Sequence, residues 1–159
     1  MLAIRDASPG DVPVLLALVR ELATYEREPH AVVATEADFL RHGFGERPAF
    51  RSLIAEWDGA PAGFALYFFG FSTWTGGPIL YLEDLFVRPE YRKKRIGLTL
   101  MHRLARIAVN EGCGRFVWQV LDWNEPSIRF YESLGAPVQR QWLTVRLEGD
   151  ALRRLASAE

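Results

Sequence analysis

The stretch Tyr81-Leu-Glu-Asp-Leu-Phe-Val-Arg-Pro-Glu-Tyr-Arg-Lys-Lys-Arg-Ile-Gly97 decides how this chain is read. Its first seven residues set two acids among apolar neighbours and read as a strand, which Arg88-Pro89 ends. A basic loop follows. From there Leu98, Met101, Leu104, Ala105 and Ala108 recur at helical spacing, and Gly112 stops the helix. A helix start offers free backbone N–H groups and a partial positive charge, which suits an anion. Here Arg92, Lys93, Lys94 and Arg95 stand in front of that start, and they include the only two lysines of the chain. Cations at that end oppose the helix dipole, so a bound polyphosphate would offset their placement. A solvated basic turn and a nucleic-acid patch are the other readings of the same run.

Outward from this segment, the chain alternates strands and helices. Residues 2–6 read as a first strand. Ser8-Pro9 opens a helix to about Tyr25, with Val12, Leu15, Leu16, Val19 and Leu22 on one face. Thr35 with Asp38 marks the start of a short helix ending near Gly43. Phe50–Trp57 and residues 62–71 read as a hairpin around Asp58-Gly59. Ile79–Val87 is the acidic strand and Arg115–Leu121 a further one. Asn124 and Pro126 start a short helix with Gly135 after its end. Residues 142–147 read as a late strand, and Asp150 opens a terminal helix. This order implies a mixed α/β sheet.

The 159 residues suffice for one domain, 1–159, and 49% hydrophobic residues supply a core. A net charge of −1 with no second basic stripe argues against nucleic acid. One cysteine, Cys113, excludes an internal disulfide and is expected to be structural, because no base or electropositive site accompanies it. The N-terminus lacks the apolar run of a secretory signal, so a cytoplasmic location is expected. Residues 59–82 carry no charge, but Pro61, Gly63, Gly70, Gly76, Gly77 and Pro78 interrupt them, so no membrane span is expected. His30, His42 and His102 have no ligand spacing, so no metal is expected.

Glu83 and Asp84 lie inside a strand, where alternation places them on opposite faces. An acid there costs desolvation unless partnered. A structural carboxylate is one reading and a functional acid the other. Tyr131 and Asn124 likewise read locally as a core tyrosine and a helix cap. Trp74 stands in the loop leading into the acidic strand.

Tyr91-Arg-x-x-x-Ile-Gly97 after Phe86-Val-Arg-Pro89 resembles the pyrophosphate loop of the GNAT superfamily of N-acetyltransferases. The superfamily pattern is Arg/Gln-x-x-Gly-x-Gly/Ala, and Arg95 stands at its first glycine. Glu21-Leu-Ala-x-Tyr-Glu26, Gly43-Phe-Gly-Glu-x-Pro48, Tyr81–Val87, Trp123-Asn-Glu-Pro-Ser-Ile128 and Phe130-Tyr-x-x-x-Gly-Ala136 are similar to the spermidine/spermine (diamine) N-acetyltransferase branch. The resemblance covers nearly the whole chain, in order.

The resemblance implies a central mixed, largely antiparallel sheet flanked by helices, acetyl-CoA as cosubstrate, a small amine as acceptor, and a homodimer. It implies Glu83 as the base, acting through water, and Tyr131 as the general acid facing the thioester sulfur. Tyr25, Glu26, Glu83, Asp84 and Trp74 are then the amine contacts. The coenzyme contacts are Leu85, Phe86, Val87, the loop Arg92, Lys93, Lys94, Arg95, the helix start Ile96, Gly97, Leu98, and Asn124, Ser127 and Tyr131. Val117–Gln119 would line the other side of the opening. A glycine lets backbone approach phosphate closely, so Arg95 must tolerate the turn or supply its guanidinium instead.

Polyamine-specific members of the branch carry an acid near Ser72, and Arg140 falls near another of their acidic positions. Ser72-Thr-Trp74 is instead similar to the thialysine-acetylating members. The expected acceptor is therefore a small amine or amino-acid side chain such as that of thialysine. Spermidine/spermine acetylation and a catalytically weak acyl-CoA-binding module are the alternatives.

Overall fold

Strands β1 (Leu2–Asp6), β2 (Arg51–Trp57), β3 (Ala60–Ser72), β4 (Gly77–Val87) and β5 (Arg115–Trp118) form one sheet, paired in chain order, in the computed structural model, which describes residues 1–158. Each pair from β1 to β4 is antiparallel, and β5 runs parallel to β4. This is the mixed, largely antiparallel sheet expected. Asp58 and Gly59 both take positive φ, 51° and 80°, which matches the twist of a two-residue hairpin turn between β2 and β3. The parallel β4–β5 pair requires a crossover, and helix α3 (Ile96–Asn110) supplies it.

Helix α1 (Val12–Tyr25) follows a single 3-10 turn over Pro9–Asp11, and helix α2 is Glu36–Gly43. At the start of α2 the Asp38 N–H donates to Thr35 Oγ1, while the Thr35 N–H donates back to the Asp38 carboxylate. Leu15, Leu18 and Leu22 of α1 pack on Ile54, Phe64, Leu66 and Phe86 of the sheet. The alternate sheet residues Leu53, Ala65, Leu80 and Leu82 are buried as well, on the face that α3 covers with Ile96, Leu100 and Leu104. Both faces being covered explains why Ser52 through Ala55 are buried without a break.

The described chain forms two compact units, Met1–Gln119 and the part from Val120 onward. The first contains the whole sheet with α1–α3. The second contains α4 (Glu125–Ser133) and α5 (Gly149–Ser157). No helix of the described residues is long and apolar enough to cross a membrane.

Two expectations are corrected. Strand β5 stops at Trp118 rather than Leu121, because its ladder with β4 ends at the Leu82–Trp118 pair, next to an irregularity in β4. Residues 142–147 form no strand. Extended chain becomes a strand only when another edge pairs with it, and no strand among the described residues does so. Leu143 and Val145 are left 85% and 94% exposed.

Candidate active site

The irregularity in β4 is a β-bulge at the two acids. Tyr67 pairs with Leu82 while its neighbour Leu66 pairs with Asp84, so Glu83 is the extra residue, outside the register. The bulge resets the parity of the strand, so that Leu82 and Asp84, two apart in sequence, lie on opposite faces. From Asp84 on, β4 faces the α1 side, since Leu66, Phe64 and Phe86 all belong to the cluster under α1. Glu83 is exposed.

Asp84 therefore comes within the field of Glu26, the residue that ends α1. Burial pushes the Asp84 carboxyl up to about 7, and the neighbouring charges of Glu83 and Glu26 add to the effect. Partial burial also pushes Glu26 above its usual range. Three carboxylates thus share one region without an arginine or lysine paired to any of them among the described residues. Such a cluster is poised for a cation.

Beyond the bulge, the β4 edge opposite β3 is open. Pairing to β5 covers only Ile79–Leu82, so Leu85, Phe86 and Val87 have a strand on one side alone. The exposed edge presents unpaired backbone groups to an extended ligand carrying amides. Gly63 on β3 keeps this segment in place: a Cβ there would lie 2.4 Å from the Phe86 carbonyl oxygen. Arg88, immediately after β4, anchors its end. Its guanidinium donates to both Glu21 carboxylate oxygens of α1 and, at 2.7 Å, to the Pro61 carbonyl.

The loop that follows takes a tight path. Lys93 and Arg95 have φ of 64° and 61°, with Lys94 between them outside that region. Arg95 is the residue before α3 and sits in the left-handed region at ψ 16°. This is the conformation that the superfamily glycine would supply, so Arg95 tolerates the turn and keeps the backbone path. No side chain caps α3, and its first helical bond runs from the Thr99 N–H to the Arg95 carbonyl. The N–H groups of Ile96, Gly97 and Leu98 thus precede the helical ladder and face outward.

The four loop cations are not equivalent. The Arg92 guanidinium lies 4.9 Å from the Tyr25 ring centroid, and Lys94 Nζ lies 4.2 Å from that of Trp57. Lys93 and Arg95 are exposed, and their side chains make no hydrogen bond, ion pair or ring contact with a described residue. Trp57 was not legible as part of this loop, because a ring 37 residues away in sequence carries no local signal.

The structure does not bring Trp74 to the acids. It is 78% exposed at the tip of the β3–β4 hairpin, with Arg115 5.9 Å from its ring centroid. Six residues of β4 separate Gly77 from Glu83, about 20 Å at the rise of a strand. In the second unit, Asn124 precedes α4, is 8% exposed, and gives no side-chain cap bond; its carbonyl accepts the Ile128 N–H. Asn124 stands at the N-cap position, as expected. Ser127 lies in the first turn of α4 and Tyr131, half-buried, near its end, where Gly135 at φ 82° terminates the helix. Burial raises the Cys113 thiol, so it is a weak nucleophile.

The first unit thus carries a cluster of three carboxylates, an open strand edge and a basic loop before a helix. The sequence pattern of the Acetyltransferase (GNAT) family matches residues 15–136, and the chain belongs to that family and is an N-acetyltransferase. It is 42% identical to thialysine N-epsilon-acetyltransferase of Sus scrofa and 40% identical to that of Mus musculus, each over 96% of both chains. Among solved structures it is similar to an integron cassette protein from the mobile metagenome of V. cholerae, at 30% identity and a TM-score of 0.83, over 99% of this chain and 98% of that one.

Proposed function

We propose that the protein transfers the acetyl group of acetyl-CoA to a small primary amine, a thialysine-like amino acid or a diamine. The observation that carries the amine is the cluster of Glu26, Glu83 and Asp84, in which burial, with the charges of Glu83 and Glu26 adding to it, raises Asp84 to about 7. An ammonium group entering there relieves that repulsion and is held by it. The relatives named for thialysine support the amino-acid acceptor.

The chemistry requires an unprotonated amine, a polarised thioester and a proton for the departing thiolate. Glu83, exposed at the bulge, takes the ammonium proton through a water. The amine nitrogen then attacks the thioester carbonyl carbon and the carbon–sulfur bond breaks. Tyr131 donates its phenolic proton to the thiolate, and the attacking nitrogen gives up its second proton to restore the phenol. The open backbone of Leu85–Val87 runs along the pantetheine arm, and an N–H of that edge can polarise the carbonyl. Arg92, Lys93, Arg95 and the N–H groups of Ile96, Gly97 and Leu98 meet the pyrophosphate, while Asn124 and Ser127 contact the same cosubstrate. The whole chain acts as one N-acetyltransferase domain, as a homodimer, in the cytoplasm. It takes no metal and no nucleic acid.

The test is acetyl-CoA consumption with thialysine, lysine, spermidine, spermine and simple diamines, by the wild type and by Glu83→Gln and Tyr131→Phe. Turnover is expected to be highest with thialysine. Glu83→Gln should lose most at lower pH, where the amine needs most help to lose its proton. Tyr131→Phe should lower turnover with coenzyme A binding retained. A higher kcat/KM with spermidine makes the protein a polyamine enzyme. Coenzyme A binding without amine-dependent turnover makes it a binding module.

A further inference from the structure

The ring of Tyr25 does not stand alone at the end of α1. The helix is closed there by a left-handed Arg27 at φ 66°, with the Glu28 N–H donating to the Ala23 carbonyl and the Arg27 N–H to that of Thr24. The ring is half-buried against the cluster containing Leu22 and Phe86, so its position is fixed from below. Above it, 4.9 Å from the ring centroid, lies the Arg92 guanidinium. That group has one further tie, Nε donating 3.2 Å to the Val87 carbonyl at the end of β4. Its two Nη groups reach no acceptor among the described residues, and those N–H groups are the ones a phosphate would take.

A long, exposed arginine ordinarily loses rotamer freedom when it grips an anion, and that loss weakens binding. Here the flat guanidinium is already held by a ring on its face and a carbonyl on its edge. We propose that Tyr25 is a positioning residue for the cosubstrate: its ring holds Arg92 ready for the pyrophosphate of acetyl-CoA. This rests on the acetyl-CoA reading above. It also ties the two halves of the site together. The α1 end that sets Glu26 beside Asp84 also sets the arginine of the phosphate loop.

The test is the dissociation constant of coenzyme A, by calorimetry, for wild type, Tyr25→Phe, Tyr25→Leu, Arg92→Met and the Tyr25→Leu/Arg92→Met pair, with the amine KM at saturating acetyl-CoA alongside. Tyr25→Phe keeps a ring and should bind within about twofold of wild type. Tyr25→Leu should bind about fivefold more weakly, the equivalent of about 1 kcal/mol of cation–π contact. In the Arg92→Met background the same change should cost coenzyme A binding nothing further. Should Tyr25→Leu fail to fold, the exposed change Arg92→Lys keeps the charge, loses the flat stacked group, and should show the same loss. Unaltered coenzyme A binding in Tyr25→Leu, an equal loss in both backgrounds, or a rise confined to the amine KM overturns the assignment. A wild-type protein that binds no coenzyme A overturns the acetyl-CoA reading itself, and the assignment with it.

Discussion

Asp84 shows how a single side chain is set by what surrounds it. Its carboxyl is raised from 3.8 to about 7 by burial first and by Glu83 and Glu26 second. The folded protein therefore holds a proton there that the unfolded chain releases above pH 4. Stability contributed by this group falls as pH rises from about 4 to 7, and the full penalty remains above 7. Three units set a ceiling of about 4 kcal/mol on that penalty. Asp84→Asn should abolish the fall. Its denaturation midpoint should match wild type near pH 4 and exceed it at pH 8, while its amine KM at pH 8 rises, because the carboxylate that holds the ammonium is gone. Urea titrations at the two pH values check the first statement; a gap that does not widen with pH shows that Asp84 is not raised. Arg95 shows the converse, a residue that carries strain. An L-residue in the left-handed region costs roughly 1–2 kcal/mol. Glycine would recover that cost but lose roughly 0.5–1 kcal/mol through its freer unfolded chain. The net gain of a glycine is thus small, which leaves room for an arginine whose guanidinium stands free for an anion.

Among the elements, β4 carries most of the proposed site, and its position depends on β3. Gly63 is the tightest point of that contact, since an added methyl group would meet the Phe86 carbonyl oxygen, a backbone atom that cannot swing aside. Gly63→Ala should force the strands apart at Phe86. It should destabilise the fold by about 1–3 kcal/mol, as overpacking does. It should also weaken coenzyme A binding more than amine binding, because the open edge at Leu85–Val87 moves while the Glu26 end of α1 does not. Thermal denaturation and the two KM values check this; an unchanged KM for acetyl-CoA detaches that edge from the cosubstrate. The elements themselves were largely legible in sequence, because helical spacing on α1 and α3, the Thr35–Asp38 reciprocal cap and the Asp58-Gly59 turn are local signals. The bulge at Glu83 was not. Tyr81–Val87 reads as unbroken alternation, and only the pairing with β3 shows that one residue is extra. The division of labour among the four loop cations was hidden for the same reason, since Tyr25 and Trp57 reach Arg92 and Lys94 across long sequence separations.

At the scale of the whole molecule, the segment read as a late strand raises the question of partners. Leu143, Val145 and Leu147 alternate with Thr144 and Arg146, the pattern of a strand with one apolar face. All three apolar residues are exposed, and so are Leu152 and Leu155 of α5. Where such exposed apolar residues form one patch, it marks a site of association. A second copy of the chain is the partner that the homodimer reading supplies. Sedimentation velocity at micromolar concentration should therefore give the mass of two chains. Val145→Glu places a charge at the most exposed of these apolar positions in the segment and costs a single chain almost nothing, because the residue is 94% exposed there. In a dimer that covers this surface it buries an unpaired carboxylate, which weakens association by several kcal/mol, on the order of 3–5. The variant should sediment as one chain with its melting temperature lowered only by the loss of the partner. A wild type that sediments as one chain removes the homodimer, and a dimer unmoved by Val145→Glu places the interface elsewhere.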